Sequence, residues 1–255
     1  MKLNGMGYRT KKWVAGLLAP IMTASTLSLG YMVTSAFYGV SVSTAKAQEA
    51  VDLIPDDNLE AAIRNALDKP EGQITKDDLA SLTELNVSSR GVNSIVGLEN
   101  CINLTELYVA NNQITDLTPI SGLTNLQTLS VALNRASDYT PLDLTPISGL
   151  DNLRVLYADR SMVRDITPLS GLTNLQELSL NFNNVWDLSA LSGLVNLEAL
   201  GLIGNHMKDI SPLSGLVNLR GLNLDLNVEI TDVSALSGLT KLESLQLGKN
   251  RISDV

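Results

Sequence analysis

Residues 104–125 read LTELYVANNQITDLTPISGLTN, residues 175–196 read LQELSLNFNNVWDLSALSGLVN, and residues 197–218 read LEALGLIGNHMKDISPLSGLVN. Laid over one another, they keep leucine at the first and fourth positions, an aliphatic residue (Val109, Leu180, Leu202) at the sixth and asparagine at the ninth. A hydroxyl residue follows at the fifteenth, and Gly-Leu near the end. The period, counted from Leu82, is 22 residues. A unit this short cannot bury its own apolar face, so it must stack on its neighbours. The sequence therefore predicts a solenoid, a single domain with a long open surface instead of a cleft.

The frame L-x-x-L-x-L-x-x-N-x-I/V is that of a leucine-rich repeat. Leu175, Leu178 and Leu180 have the spacing of a short strand, with Leu178 and Leu180 pointing to one side. Stacked repeats then place a parallel sheet on the concave face. The ninth-position Asn112, Asn134, Asn183, Asn205, Asn227 and Asn250 are expected to turn inward and bond backbone groups freed by the bend. Arg90 and Ser161 stand in that slot in two repeats, which predicts local weakening. Thr118-Pro119, Thr145-Pro146, Thr167-Pro168 and Ser211-Pro212 predict a hydroxyl N-cap before one short 3₁₀ turn on the convex face. Gly122, Gly149, Gly171, Gly193, Gly215 and Gly238 are the expected positive-φ stops. The predicted architecture is an α/β horseshoe: concave parallel sheet, convex 3₁₀ turns and a helical N-terminal cap.

Three segments follow. Residues 1–47 carry five basic and no acidic side chains, then the apolar WVAGLLAPIM from Trp13, then Ala45-Lys46-Ala47. That order reads as a signal peptide with the first mature residue near Gln48, so the protein is expected to be secreted or at the cell surface. Membrane attachment arises only if the segment stays uncleaved. Residues 48–81 form the cap: Ile54-Pro55-Asp56-Asp57 opens a helix whose apolar face is Leu59, Ala62, Ile63, Ala66 and Leu67, and Thr75 caps a second one. Residues 82–255 are the repeats, the last incomplete at Asp254-Val255; this reads as a fragment of a longer protein or as an open end closed by dimerisation. The repeat from Leu126 to Asn152 runs five residues over the period, a surplus assigned to Tyr139–Asp143. The repeat from Leu219 has one extra residue near Val228-Glu229. Cys101 occupies a slot filled elsewhere by leucine, which makes it a small buried hydrophobe.

Without the first 47 residues, 13 basic side chains face 27 acidic ones. Nucleic acid and anionic lipid are poor partners for such a surface. The third, fifth and seventh strand positions, with the eighth at the edge, face the open side of the sheet. There Glu106, Tyr108, Tyr157, Asp159, Arg160, Glu177, Asn181 and Phe182 form the candidate ligand-binding surface: aromatics ringed by polar groups, the composition of a protein-recognition hot spot. Phe182 is read equally as surface or as folded into the core, where Leu133 and Leu226 are expected. The thirteenth-position aspartates (Asp116, Asp138, Asp165, Asp187, Asp209, Asp232, Asp254) are too dispersed to converge on calcium and are expected to bond local backbone N–H groups. No serine or cysteine has a base partner by inventory, and Glu84 and Glu106 lie on an open sheet with nothing to desolvate them. No catalytic residue, metal or cofactor is expected.

With the cap IPDDNLEAAIRNAL and ITKDDLASLTELNVSSRGV, and repeats of the form NQITDLTPISGLTNLQ, the chain resembles the bacterial internalin family over about residues 51–255. That resemblance implies an exported leucine-rich repeat protein, with a concave sheet that binds a protein ligand in some members. Family members usually add an immunoglobulin-like region after the repeats and often a wall anchor; neither occurs before Val255. The leading expectation is an adhesin-like, non-enzymatic module binding a protein ligand, such as a surface receptor. The alternative is a cell-envelope structural or carbohydrate-contacting protein.

Overall fold

Each repeat contributes one three-residue strand, and its central leucine sets the register. The computed structural model describes residues 53–134 and 140–253; residues 1–47, read from the sequence as a signal peptide, lie outside them, as do Asp138 and Asp254. The strands are β1 (Glu84–Asn86), β2 (Glu106–Tyr108), β3 (Thr128–Ser130), β4 (Val155–Tyr157), β5 (Glu177–Ser179), β6 (Ala199–Gly201), β7 (Gly221–Asn223) and β8 (Ser244–Gln246). They form one eight-stranded parallel sheet in chain order. Leu85, Leu107, Leu129, Leu156, Leu178, Leu200, Leu222 and Leu245 stand side by side across it. All but Leu245, on the terminal strand, are buried. Full burial of one such leucine is worth about 1.5–3 kcal/mol, so the aligned row is a main source of solenoid stability.

Opposite the strands lie short 3₁₀ turns, such as Thr118–Ile120, Thr167–Leu169 and Ser211–Gly215. Strands spaced about 4.8 Å apart need a convex element of similarly small girth, and a single tight turn supplies it. The hydroxyls do not cap these turns. Each turn begins at the Thr or Ser itself, with no side-chain bond from the preceding Leu, Ile or Val. The aspartate two residues ahead does the capping: Asp116 Oδ1 accepts from the Thr118 N–H at 2.8 Å, and Asp165, Asp187, Asp209 and Asp232 repeat the bond. A carboxylate can reach back over two residues, and one exposed N–H is all that so short a turn presents.

The expected glycine stops also fall elsewhere. None of Gly122, Gly149, Gly171, Gly193, Gly215 and Gly238 has positive φ. The left-handed step sits at the eighth position, where the chain leaves the strand: Ser89, Asn111, Leu133, Arg160, Phe182, Gly204, Leu226 and Lys249. The bend between strand and convex side needs that step in every repeat, whichever residue occupies it.

Two ladders of asparagine brace this geometry. In the buried one, Asn205 donates through Nδ2 to Leu180 O at 2.9 Å and Leu202 O at 3.1 Å, while its Oδ1 accepts from Val185 N–H at 3.0 Å. Ser161 fills its slot with one hydroxyl, donating toward Val131 O and Asp159 O and accepting from Asn134 N–H. The second ladder is exposed: Asn103, Asn125, Asn152, Asn174, Asn196 and Asn218 each bond a carbonyl one repeat back, at 2.8–2.9 Å.

Within the surplus assigned to Tyr139–Asp143, Asp143 caps Thr145 as the ladder aspartates do, so it takes the ladder slot expected of Asp138, and Leu142 is buried with its N–H on Ser161 O. At the other irregular repeat, a bond from Ile230 N–H to Asn227 O closes a tight turn around exposed Val228 and Glu229.

Over the first strand packs the cap, α1 (Asp57–Ala66) and α2 (Lys76–Ala80). Asp56 caps α1, and Thr75 and Asp78 form a reciprocal capping box on α2. Leu59, Ala62 and Ile63 are buried; Ala66 is exposed and Leu67 half-buried, because the helix ends there and turns away. Cys101 is buried, and burial pushes its thiol up to about 12. No helix of the described residues is long and apolar enough to cross a membrane.

Candidate functional site on the concave face

Strand alternation sends the central leucine of each strand into the core and leaves its two neighbours on the open face. On β2 the Tyr108 hydroxyl donates to Glu106 Oε2 at 2.8 Å, two residues away on the same side. That bond is the main reason its phenol is held above the usual range. On β4, Tyr157 is pushed up to about 12, first by burial and then by the Glu177 carboxylate on β5. Ser130 on β3 pairs with both tyrosines in the sheet register and is only 8% exposed between them. Two phenol–carboxylate pairs thus flank a covered serine.

Beyond Tyr157 the polar groups are knitted together. Asp159 Oδ1 accepts from Ser179 Oγ and from Asn181 N–H, both at 2.6 Å. Asn181 Nδ2 donates to Ser179 Oγ at 2.7 Å, and its Oδ1 accepts from Ile203 N–H at 2.9 Å. Gly201 makes room for this network, since a Cβ there would lie 3.0 Å from both Asn181 amide atoms. These bonds fix the side chains before any ligand arrives.

At the strand edge Arg160 stacks on the Phe182 ring, 4.1 Å from its centroid. Phe182 is 38% exposed and lies over Gly204, where a Cβ would meet its ring at 2.8 Å. The expectation that eighth-position side chains fold into the core fails. Leu133 is 41% exposed and Leu226 half-buried, because the left-handed backbone at this position turns the side chain out of the stack.

All eight sequence-selected residues therefore share one face, linked as Glu106–Tyr108, Tyr157–Glu177, Asp159–Asn181 and Arg160–Phe182. Sequence reasoning missed Trp186. It occupies the twelfth position of its repeat, which Thr115, Arg164 and Lys208 fill elsewhere, and that contrast was the available signal. It lies beside the concave face, not on it, lining two clefts with Asp187. The exposed asparagine ladder was missed too, although its Asn precedes the first leucine of the six repeats that start between Leu104 and Leu219.

A family model for leucine-rich repeats (two copies) matches residues 80–122, 102–144 and 151–193. No curated protein matches the chain. Among solved structures, internalin C2 from Listeria monocytogenes is 36% identical with a TM-score of 0.62, over 76% of this chain and 93% of that one. The functional domain of InlJ from Listeria monocytogenes, described as including a cysteine ladder, matches in fold at 22% identity and a TM-score of 0.52, over 80% of this chain and 52% of that one. This chain, with its single cysteine, has no such ladder. A TLR13 structure, solved as a complex with ssRNA13, is 28% identical with a TM-score of 0.58, over 70% of this chain and 26% of that one. Aligned leucines, an inward asparagine ladder, a helical cap and the near-complete match to internalin C2 agree: the chain is a leucine-rich repeat protein of the internalin family.

Proposed function

We propose that this is an exported, non-enzymatic recognition module that binds a protein ligand on the concave face between β2 and β5. The observation that carries the reading is the pair of partly exposed tyrosines, Tyr108 bonded to Glu106 and Tyr157 beside Glu177, separated by a covered serine. An aromatic already held by a hydrogen bond, as Tyr108 is, loses little freedom on binding, and both rings supply large contact area. The charge of the face selects the partner. Glu84, Glu106, Asp159 and Glu177 stand against Arg160, whose guanidinium lies on Phe182, so a ligand with a basic patch fits best. The same carboxylates disfavour RNA, the ligand in the TLR13 structure, because phosphates would meet like charge. Export rests on the basic, apolar and small-residue order of positions 1–47.

The test is a double variant, Tyr108→Ala with Tyr157→Ala, compared with the parent chain in pull-down and calorimetry against the captured protein. Binding is expected to weaken about tenfold or more, with the melting temperature unchanged. Undiminished binding rejects this face.

A further inference from the structure

Trp186 is 66% exposed, more than any other large hydrophobic side chain among the described residues. Its indole lines the clefts on either side, which leaves a large apolar face with a polar N–H available for contact. Two clefts meet at it. One, of about 230 Å³, includes Arg164, Asp165 and Ala190; the other, of about 650 Å³, includes His206, Lys208, Pro212 and Glu229. The indole is thus a flat apolar platform between two shallow hollows with polar rims.

The rims carry donors and acceptors side by side. Arg164 and Lys208 flank Trp186 in the same row of the array, and Asp165, Asp187 and Asp209 form the next row. Thr167 and Ser189 bond Asp165 and Asp187 through hydroxyl and N–H, and Ser211 bonds Asp209 through its N–H, which keeps the carboxylates ionised and fixed in direction. We propose that this side of the solenoid binds a neutral oligosaccharide, one sugar ring stacking on Trp186 and neighbouring rings lying in the two clefts. A hexose ring is apolar on its face and rimmed by hydroxyls that both give and take hydrogen bonds, so it matches platform and rims together. An aliphatic side chain would cover the indole but leave the charged rims desolvated without partners. A polyanion would face Asp165, Asp187, Asp209 and Glu229 with only Arg164 and Lys208 to offset them. The surface is separate from the concave tyrosines and does not depend on their role.

The chain's other tryptophan is Trp13, so the full chain carrying Trp13→Phe reports on Trp186 alone. Its fluorescence is titrated with chitotetraose, cellotetraose, mannotetraose and maltotetraose, with tetragalacturonate and a lysine-rich peptide as controls. At least one neutral tetrasaccharide is expected to give a saturable emission change at millimolar concentration or below, and neither control should. By calorimetry, Trp186→Ala should abolish that binding, Trp186→Tyr should retain part of it, and Tyr108→Ala/Tyr157→Ala should leave it intact. Silence with all four neutral sugars overturns the proposal. So do equal binding of tetragalacturonate, unchanged binding by Trp186→Ala at unchanged melting temperature, and a response to the peptide alone, which would make the patch a protein contact.

Discussion

The buried and exposed asparagine ladders use the same side chain at the same period, yet they do different work. Asn205 bridges two carbonyls and an N–H in the core, where none of the three has water as an alternative. Asn196 makes one bond, to Thr173 O, on the exposed rim. The comparison teaches that repetition alone does not measure importance in a solenoid. What counts is how many backbone groups would be stranded without the side chain.

The hardest test of that view is Asn205→Ala. It strands the buried Leu180 O and Val185 N–H, while Leu202 O keeps its bond from Asn227 Nδ2, so unfolding free energy should fall by about 2–3 kcal/mol in chemical denaturation. A loss below about 1 kcal/mol would remove the distinction between the ladders. Ser161→Ala should come next, at about 1–2 kcal/mol, because one hydroxyl serves the groups around it. If it matches Asn205→Ala, then Ser161 is a full equivalent of asparagine and not a weak point. Asn196→Ala should cost about 0.5–1 kcal/mol, since water replaces the lost partner.

The smallest effect per residue belongs to the aspartates, and it alone titrates. Hydrogen bonds from the following hydroxyl residue hold Asp116, Asp165, Asp187, Asp209 and Asp232 below the usual carboxylate range. With folded values depressed, their stabilisation is complete above the unfolded value, near pH 4, and is lost as pH falls below it. Melting temperature should therefore drop on acidification into that window, and Asp187→Asn should flatten the drop slightly. The asparagine ladders do not ionise, so their variants should shift the whole curve without changing its slope.

Much of this was legible in the repeats. Leucine spacing gave strand, register and core, since a period repeated with little change leaves one way to stack. The inward turn of Asn112 to Asn227 followed from the cost of an unpaired amide in an apolar column. The capping of the turns did not follow: Thr118 and Asp116 are both good caps in sequence, and only the short convex turn selects the aspartate. Glycine spacing misled for a related reason. Gly122 lies where a helix stop belongs, yet the left-handed step is set by the strand bend at Asn111, Leu133 and Phe182.

At the candidate site the division has the same cause. The sequence by itself determined which residues share the concave face, because alternation along a strand is a local property. It could not place Leu133 outside the core, where the left-handed backbone at the strand bend turns it, nor put Arg160 on Phe182 or tie Asp159 to Asn181, since those contacts join neighbouring repeats. Nor could it tell that Trp186 stands between two clefts. A 22-residue period fixes what each repeat is; the packing of one repeat on the next decides which of its side chains remain available.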